Sequence, residues 1–193
     1  VKDVKNILLL GQLGTPTADV LVDIILGKSY PSGKLTMTWA DIDLYPSTKN
    51  FGDMNDTLYN DGIYVGYRYF DKVNVPILYP FGYGLSYTEF EVIEKKICVQ
   101  EKEAAAKFKI RNTGLYPGKE IVQIYISKPQ NRRNMPEKEL VAFGKTKELL
   151  PEEETSLTVK FDLDCLKSYD EATATYSIVE GEYEVLAGGD SSN

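Results

Sequence analysis

Histidine is absent from the 193 residues. That removes Ser-His-Asp and Cys-His nucleophilic catalysis, histidine-ligated zinc and the usual general base near neutral pH. Any catalysis within the chain falls to carboxylates, tyrosine, lysine or cysteine. Cysteine is scarce as well: Cys98 and Cys165 lie far apart and form no CxxC pair. They read as buried free thiols in preference to a disulfide, and no metal site is expected of them. Basic charge is in the minority, with 22 Lys and Arg against 29 Asp and Glu and a net charge of −7. Neutralising phosphates needs clustered cations, so nucleic acid is excluded as a partner. Arg132 and Arg133 beside Lys128 are the one dense basic cluster, too small to change that. No apolar run approaches the roughly twenty residues of a membrane span, so no membrane partner is expected. The expectation is a soluble protein; a bacterial cytoplasm fits, although the sequence names no compartment. No starting methionine or signal-like segment precedes Val1, so the chain reads as a piece of something longer.

What is present suffices for a core. Hydrophobic residues make up 42% and charged residues 26%, ordinary for one large domain or two small ones. The continuous apolar run at 6–11 suits a strand buried on both faces of a parallel sheet. A helix over 16–26 follows, with Thr15 as N-cap, Pro16 at the first helical position and Gly27 at the stop. Its apolar residues wrap most of the circumference, so burial is expected. Strand, loop and helix together imply an α/β layer. Residues 35–39 alternate loosely like a short strand, 48–62 form a long polar loop, and 63–70 read as strand or extended. Stretch 76–87, rich in Pro, Gly and aromatics, promises little regular structure.

After about Tyr87 the composition changes. Segments 90–100, 104–112, 121–127, 139–149, 155–163, 173–179 and 183–187 have strand character, separated by turn signals such as Asn112-Thr113-Gly114 and Glu180-Gly181. Seven short strands at this spacing predict a β-sandwich of immunoglobulin or fibronectin-III type. Alternation in Val122-Gln123-Ile124-Tyr125-Ile126 predicts one buried and one wet face. The fold class expected is therefore an α/β fragment followed by an all-β sandwich.

Residues 59–87 hold seven of the fourteen tyrosines and two of the seven phenylalanines. The motifs Ser-Gly-Lys-Leu-Thr-Met-Thr-Trp (32–39), Gly-Ile-Tyr-Val-Gly-Tyr-Arg-Tyr-Phe-Asp (62–71) and Tyr-Pro-Phe-Gly-Tyr-Gly-Leu-Ser-Tyr (79–87) resemble the C-terminal region of glycoside hydrolase family 3. Gly-Lys-Glu-Ile-Val-Gln-Ile-Tyr-Ile-Ser (118–127) and Pro-Glu-Lys-Glu-Leu-Val-Ala-Phe-Gly-Lys-Thr (136–146) resemble its fibronectin-III-like domain. The resemblance implies that residues 1–87 are the tail of an α/β sandwich domain and 88–193 the accessory β-sandwich. It also implies a parent of β-glucosidase type, cleaving terminal β-linked sugars with retention. Retention requires two carboxyls about 5–5.5 Å apart. In the family the nucleophile is an aspartate on a (β/α) barrel and the acid/base is typically a glutamate further upstream. No residue here matches either motif, so no catalytic residue is carried over and the chain alone is expected to be inactive. The implied partners are the missing barrel and the remainder of the α/β domain, in the same parent or a second chain, and the parent's carbohydrate.

Each candidate site has a plainer alternative. Gly11-Gln12-Leu13-Gly14-Thr15 stands where a phosphate loop would, but lacks the third glycine of a dinucleotide fingerprint and the Gly-Lys-Thr/Ser of a P-loop. Tight strand-to-helix packing is the better reading, and no cofactor is expected. Asp61, Arg68 and Asp71 bracket the aromatic motif, either reading sugar hydroxyls or forming ion pairs that anchor a loop between domains. The loop 50–56, with Asp53 and Asp56, is the segment expected to approach a substrate or the barrel, or else a solvated loop. Substrate-binding candidates are thus Asp53, Asp61 and Arg68. Trp39 suits burial better than sugar stacking, and the tyrosine belt suits inter-domain cement better than a sugar platform. The Asp pairs at 41–43 and 53–56 match no EF-hand loop, and no metal is expected. A non-catalytic carbohydrate-binding or adhesion module is the alternative function. One strand and one all-round apolar helix cannot bury their faces on each other, so an exposed apolar patch or a covering partner is expected near the N-terminus.

Overall fold

Period-two alternation builds the sheets of this molecule, a computed structural model that describes residues 4–49, 52, 54–56, 58–129 and 135–192. Strand β1 is Phe90–Val99, β2 Glu103–Asn112, β3 Ile121–Ser127, β4 Glu139–Lys145 and β5 Glu154–Asp162; β6 is Lys167–Asp170, β7 Thr175–Ile178 and β8 Glu184–Gly188. Antiparallel pairing gives one sheet of order β1-β2-β5 and a second of order β4-β3-β8, with β6-β7 as a separate hairpin. Along β2, Ala104, Ala106, Phe108 and Ile110 are buried while the side chains between them face out. Register places Ala104, Ala106 and Phe108 beside Phe161, Val159 and Leu157 of β5. Val122, Ile124 and Ile126 of β3 close the core from the other sheet, joined by Leu149. Each such aliphatic or aromatic side chain stabilises by about 1.5–3 kcal/mol on burial.

The strand expected at 173–179 is one arm of the β6-β7 hairpin, which brings the strands among the described residues to eight. Lys167-Ser168-Tyr169-Asp170 offers one aromatic and no apolar alternation, and only its pairing with β7 makes it a strand. The larger departure is β3, whose residues 122–126 are buried on both faces instead of having one face wet. Gln123 and Tyr125, the outward pair, lie under chain from residues 67–82. Both cysteines are free; Cys165 is half-buried, but Cys98 is exposed on β1, contrary to expectation.

Residues 32–88 share one compact unit, Ser32–Asn193, with the sandwich. The segment expected as a strand at 35–39 bends at Thr36 and Met37 and pairs only at its two ends: Leu35 N–H donates to Tyr83 O (2.8 Å) and Trp39 N–H to Tyr79 O (2.8 Å). Two 3-10 turns, Ile42–Leu44 and Pro46–Thr48, precede the polar loop. Helix α2, Tyr67–Val73, stands where extended chain was expected. Tyr67 and Phe70, three apart, are both buried on one helical face. Tertiary burial of that pair outweighs the weak local alternation. Asn74, left-handed at φ 50°, ends the helix and donates its N–H to Phe70 O.

The other compact unit, Val1–Pro31, contains helix α1, Thr17–Ile25. The stretch 6–11 forms no strand, because residues 4–31 offer it no strand to pair with. Ile7, Leu8 and Leu9 are 45%, 42% and 55% exposed, and no residue of α1 is buried. The exposed apolar patch is therefore present, and the expected burial of the helix is not. Pro16, not Thr15, occupies the cap position, and the Thr17 hydroxyl donates to Gly14 O. Gly11 and Gly14 both have positive φ with open space around them, so backbone direction, not tight packing, accounts for them.

Candidate functional site

Tyrosine 67 is the hub of the aromatic stretch. Its ring meets Tyr125 edge-on at 5.8 Å and Phe81 at 5.1 Å, and its hydroxyl accepts the Leu140 N–H (2.7 Å). Tyr45 packs edge-on against Phe70 at 5.0 Å, and half-buried Trp39 against Tyr79 at 6.1 Å. Below the rings, the Tyr125 hydroxyl donates to Gln123 Oε1 (2.8 Å), while Gln123 Nε2 donates to Gly82 O (3.3 Å) and to Gly189 O. Gly82 permits this approach: its φ is 85°, and a Cβ there would run into the Gln123 amide. Burial pushes the Tyr67 and Tyr125 hydroxyls above the ordinary phenol range, so both stay neutral and serve as hydrogen-bonding tips. These rings spend their faces on one another and, through Tyr67, on Tyr125 of β3, whereas Tyr59 and Tyr87 of the tyrosine belt are exposed.

Charged groups follow the same path. Arg68 reaches Glu139 Oε1 (3.4 Å) and lies over the Tyr67 ring at 5.7 Å; Lys128 holds the other oxygen of Glu139 at 3.0 Å. Asp71 faces Lys138 Nζ at 3.6 Å, yet its Oδ2 is buried without a hydrogen-bond partner. Burial therefore raises the Asp71 carboxyl above its ordinary pKa, and the Lys138 ammonium offsets this only in part. Chemically, these groups tie α2 to the start of β4.

The candidates named from sequence do not converge. Arg68 and Asp71 enter the α2–β4 ion pairs. Asp61 is half-exposed on a turn, its carbonyl accepting the Tyr64 N–H (2.9 Å). Asp53 lies outside the described residues, as do Arg132 and Arg133; Asp56 is exposed. Among the described residues no group of three or more Cys, Asp or Glu is placed to hold a metal ion, and no helix is long and apolar enough to cross a membrane. Sequence reading missed Gln123, Tyr125, Lys138 and Glu139 as members of this junction. Their signal was there: a glutamine inside an aliphatic strand demands a partner once that strand's second face is covered.

Residues 1–87 match the family model described as the glycosyl hydrolase family 3 C-terminal domain, and residues 120–191 match the fibronectin type III-like domain. The probable beta-glucosidase H of Aspergillus flavus is 38% identical over 93% of this chain and 22% of its own length. A beta-glucosidase of Ruminococcus albus is 41% identical over 92% of this chain and 19% of its own. The structure of beta-glucosidase 3B from Thermotoga neapolitana in complex with alpha-D-glucose superposes with a TM-score of 0.87 at 36% identity, covering 95% of this chain and 26% of that one. The chain thus spans about a fifth to a quarter of the length of these relatives.

Proposed function

Because the chain belongs to glycoside hydrolase family 3, we propose that it is the C-terminal part of a retaining β-glycosidase of β-glucosidase type, acting on terminal β-linked sugars. One observation carries this reading: the chain aligns with beta-glucosidases over more than nine-tenths of its own length and only about a fifth to a quarter of theirs. Residues 1–87 are the tail of the α/β domain and 88–193 the fibronectin-III-like domain. The nucleophile and the acid/base lie outside this sequence, on the barrel and on the rest of the α/β domain, which are its partners. This chain braces the domain that carries the active site and does not hydrolyse sugars alone.

The ion pairs and rings at the α2–β3–β4 junction support that division of labour, because their polar groups are engaged with one another. Of the candidate sugar contacts, Arg68 is committed to Glu139, which leaves Asp61 and Asp53 for that role.

The test is hydrolysis of an aryl β-glucoside and an aryl β-xyloside by the 193-residue chain, with and without the missing barrel-bearing remainder. Activity on recombination only is the expected result. Turnover by the isolated chain would overturn it and direct attention to Asp53, Asp56 and Asp61. Glycan binding without turnover in either arrangement would favour a carbohydrate-binding module instead.

A further inference from the structure

The β6-β7 hairpin is built inside out. An antiparallel pair ordinarily buries its apolar side chains and wets its polar ones. Here β6 turns Ser168 and Asp170 toward the protein and leaves Lys167 and Tyr169 in water. The Ser168 Oγ is buried without a hydrogen-bond partner. Register sets Tyr169 opposite Tyr176 and Lys167 opposite Ile178, so all four side chains share the outer face. Tyr169 is 52%, Tyr176 69% and Ile178 49% exposed. A cross-strand ring pair adds little to a hairpin's stability, and on the inward face the same rings would gain burial as well. Hairpin stability alone does not account for the outward placement.

The surroundings narrow the ligand. Residues 162–184 carry seven Asp and Glu against one cation, Lys167, which is paired to Asp164 Oδ1 at 2.7 Å. Lys128 donates to Lys167 O (3.2 Å), but it is buried and held by Glu139. Such a neighbourhood repels a phosphate, a sulfate or an anionic lipid surface. The two rings meet at 5.1 Å and 57°, so a quaternary ammonium has no room between them as in an aromatic cage. A stable protein interface needs roughly 800 Å² on each side, and two half-exposed tyrosines with one isoleucine offer only a few hundred. What fits is a small neutral molecule with an apolar face and a hydroxylated rim, which is a sugar. A pyranose with equatorial hydroxyls turns its axial C–H groups to an aromatic face. The platform, roughly 5 by 7 Å between Cα atoms, has the footprint of one such ring. At its edge the Lys167–Asp164 pair supplies a donor and an acceptor for hydroxyls.

We propose that the outer face of the β6-β7 hairpin is a carbohydrate-binding surface. One pyranose of a neutral β-linked oligosaccharide stacks on Tyr169 and Tyr176, and its hydroxyls bond to Lys167 and Asp164. The surface holds a sugar chain and takes no part in cleaving it. It is separate from the aromatic junction around Tyr67, whose rings are engaged with one another. That the sugar is β-linked rests on the proposed glycosidase activity of the parent; that it is a sugar rests on the hairpin alone.

Amide NMR of the isotope-labelled 193-residue chain, titrated with cellotetraose, tests it. Saturable shifts confined to residues 167–178 are expected, with a Kd of about 1–10 mM. Replacing both rings, Tyr169→Ala with Tyr176→Ala, should weaken binding at least about tenfold, whereas Tyr169→Phe with Tyr176→Phe should keep it within about threefold. Unchanged amide positions along β2, β3 and β5 show that the variants fold. Lys167→Met keeps both rings and the hairpin, and should weaken binding by about threefold through the lost hydroxyl contact. No saturation by about 50 mM overturns the proposal. So do shifts centred on residues 59–87, or equal shifts with glycerol. Tighter binding of tetraethylammonium than of cellotetraose would assign the face to cations and overturn it as well. Maltotetraose bound as tightly as cellotetraose would uphold the sugar surface and overturn its preference for β-linked chains. Hydrolysis of an aryl β-glucoside by the recombined enzyme is read separately and should be the same with either tyrosine pair replaced, so this surface and the proposed activity can fail independently.

Discussion

Helix α1 and strand β2 are both rich in small and aliphatic side chains, yet only β2 hides them. Ala104, Ala106, Phe108 and Ile110 of β2 are at most 4% exposed, whereas Val22 and Ile25 of α1 are 49% and 68% exposed. The difference lies in what each element needs as a partner. A strand with one apolar face is satisfied by two neighbours and an opposing sheet, all of which lie between residues 90 and 188. A helix that is apolar all round needs cover on several sides, which residues 4–31 do not contain. Self-sufficiency is therefore a property of the pattern and not of hydrophobic content.

The sharpest way to test this contrast is to remove the hub that welds residues 32–88 to the sandwich. Tyr67→Ala deletes a buried ring packed on Tyr125 and Phe81 and leaves the Leu140 N–H unpaired. A loss of about 4 kcal/mol is expected in urea unfolding. Tyr67→Phe keeps the packing and should lose only about 1–2 kcal/mol. Equal losses would mean that the ring contributes little, and that the junction is held by its polar tips.

Next in size is Asn112, fully buried where β2 ends. Its Nδ2 donates to Tyr116 O (2.8 Å) and Leu149 O (2.9 Å), and its Oδ1 accepts from the Thr88 hydroxyl (2.6 Å) and Gly114 N–H (3.1 Å). Asn112→Ala orphans these partners and should destabilise by about 3 kcal/mol, seen as a Tm drop of roughly 6–12 °C. A drop under a degree or two would show that water replaces the side chain there.

How much of this was legible in the sequence follows the same contrast. The β-sandwich was readable because period two survives wherever one face is buried, as along β2 and β5. Asn112 appeared only as a turn signal, since its four hydrogen bonds come from residues 88, 114, 116 and 149. Helix α2 was misread because Tyr67 and Phe70 acquire their common face only by packing against residues far along the chain. The wet face expected of β3 is dry for the same reason, and β6 had too little alternation to declare itself. At the candidate site, residue types were readable but pairings were not. Arg68 and Asp71 stood out as an ion-pairing set, while their partners Glu139 and Lys138 lie some seventy residues away.

A smaller effect separates the ionic part of the junction from its aromatic part. Burial raises the Asp71 pKa despite Lys138, so the folded protein holds the proton more tightly than the unfolded chain does. Its contribution to stability is complete below the ordinary aspartate value of about 3.9 and is lost as pH rises through the higher folded-state value. Asp71→Asn should therefore unfold at slightly higher urea than the wild type at pH 7, with the advantage gone near pH 3. The difference in urea midpoint across that range measures it. A wild type that is the more stable at pH 7 would show that the Lys138 ion pair outweighs the burial.

The smallest effect is expected at Ile25, and it bears most directly on why the two regions differ. With 68% of its surface in water, Ile25→Lys in the 193-residue chain removes almost no buried area. The change in unfolding free energy should stay within about 0.5 kcal/mol. If α1 is instead one layer of an α/β domain completed elsewhere in the parent, the same lysine in the full-length enzyme meets a packed surface. An unpaired charge there costs several kcal/mol or forces the helix off its seat. Thermal unfolding of both proteins with the single substitution distinguishes the cases. A near-zero shift in the short chain with a large one in the parent means that α1 is exposed only for want of its neighbours. Near-zero shifts in both would make α1 a solvent-facing helix, and the contrast with β2 would then reflect tolerance of exposure instead of incompleteness.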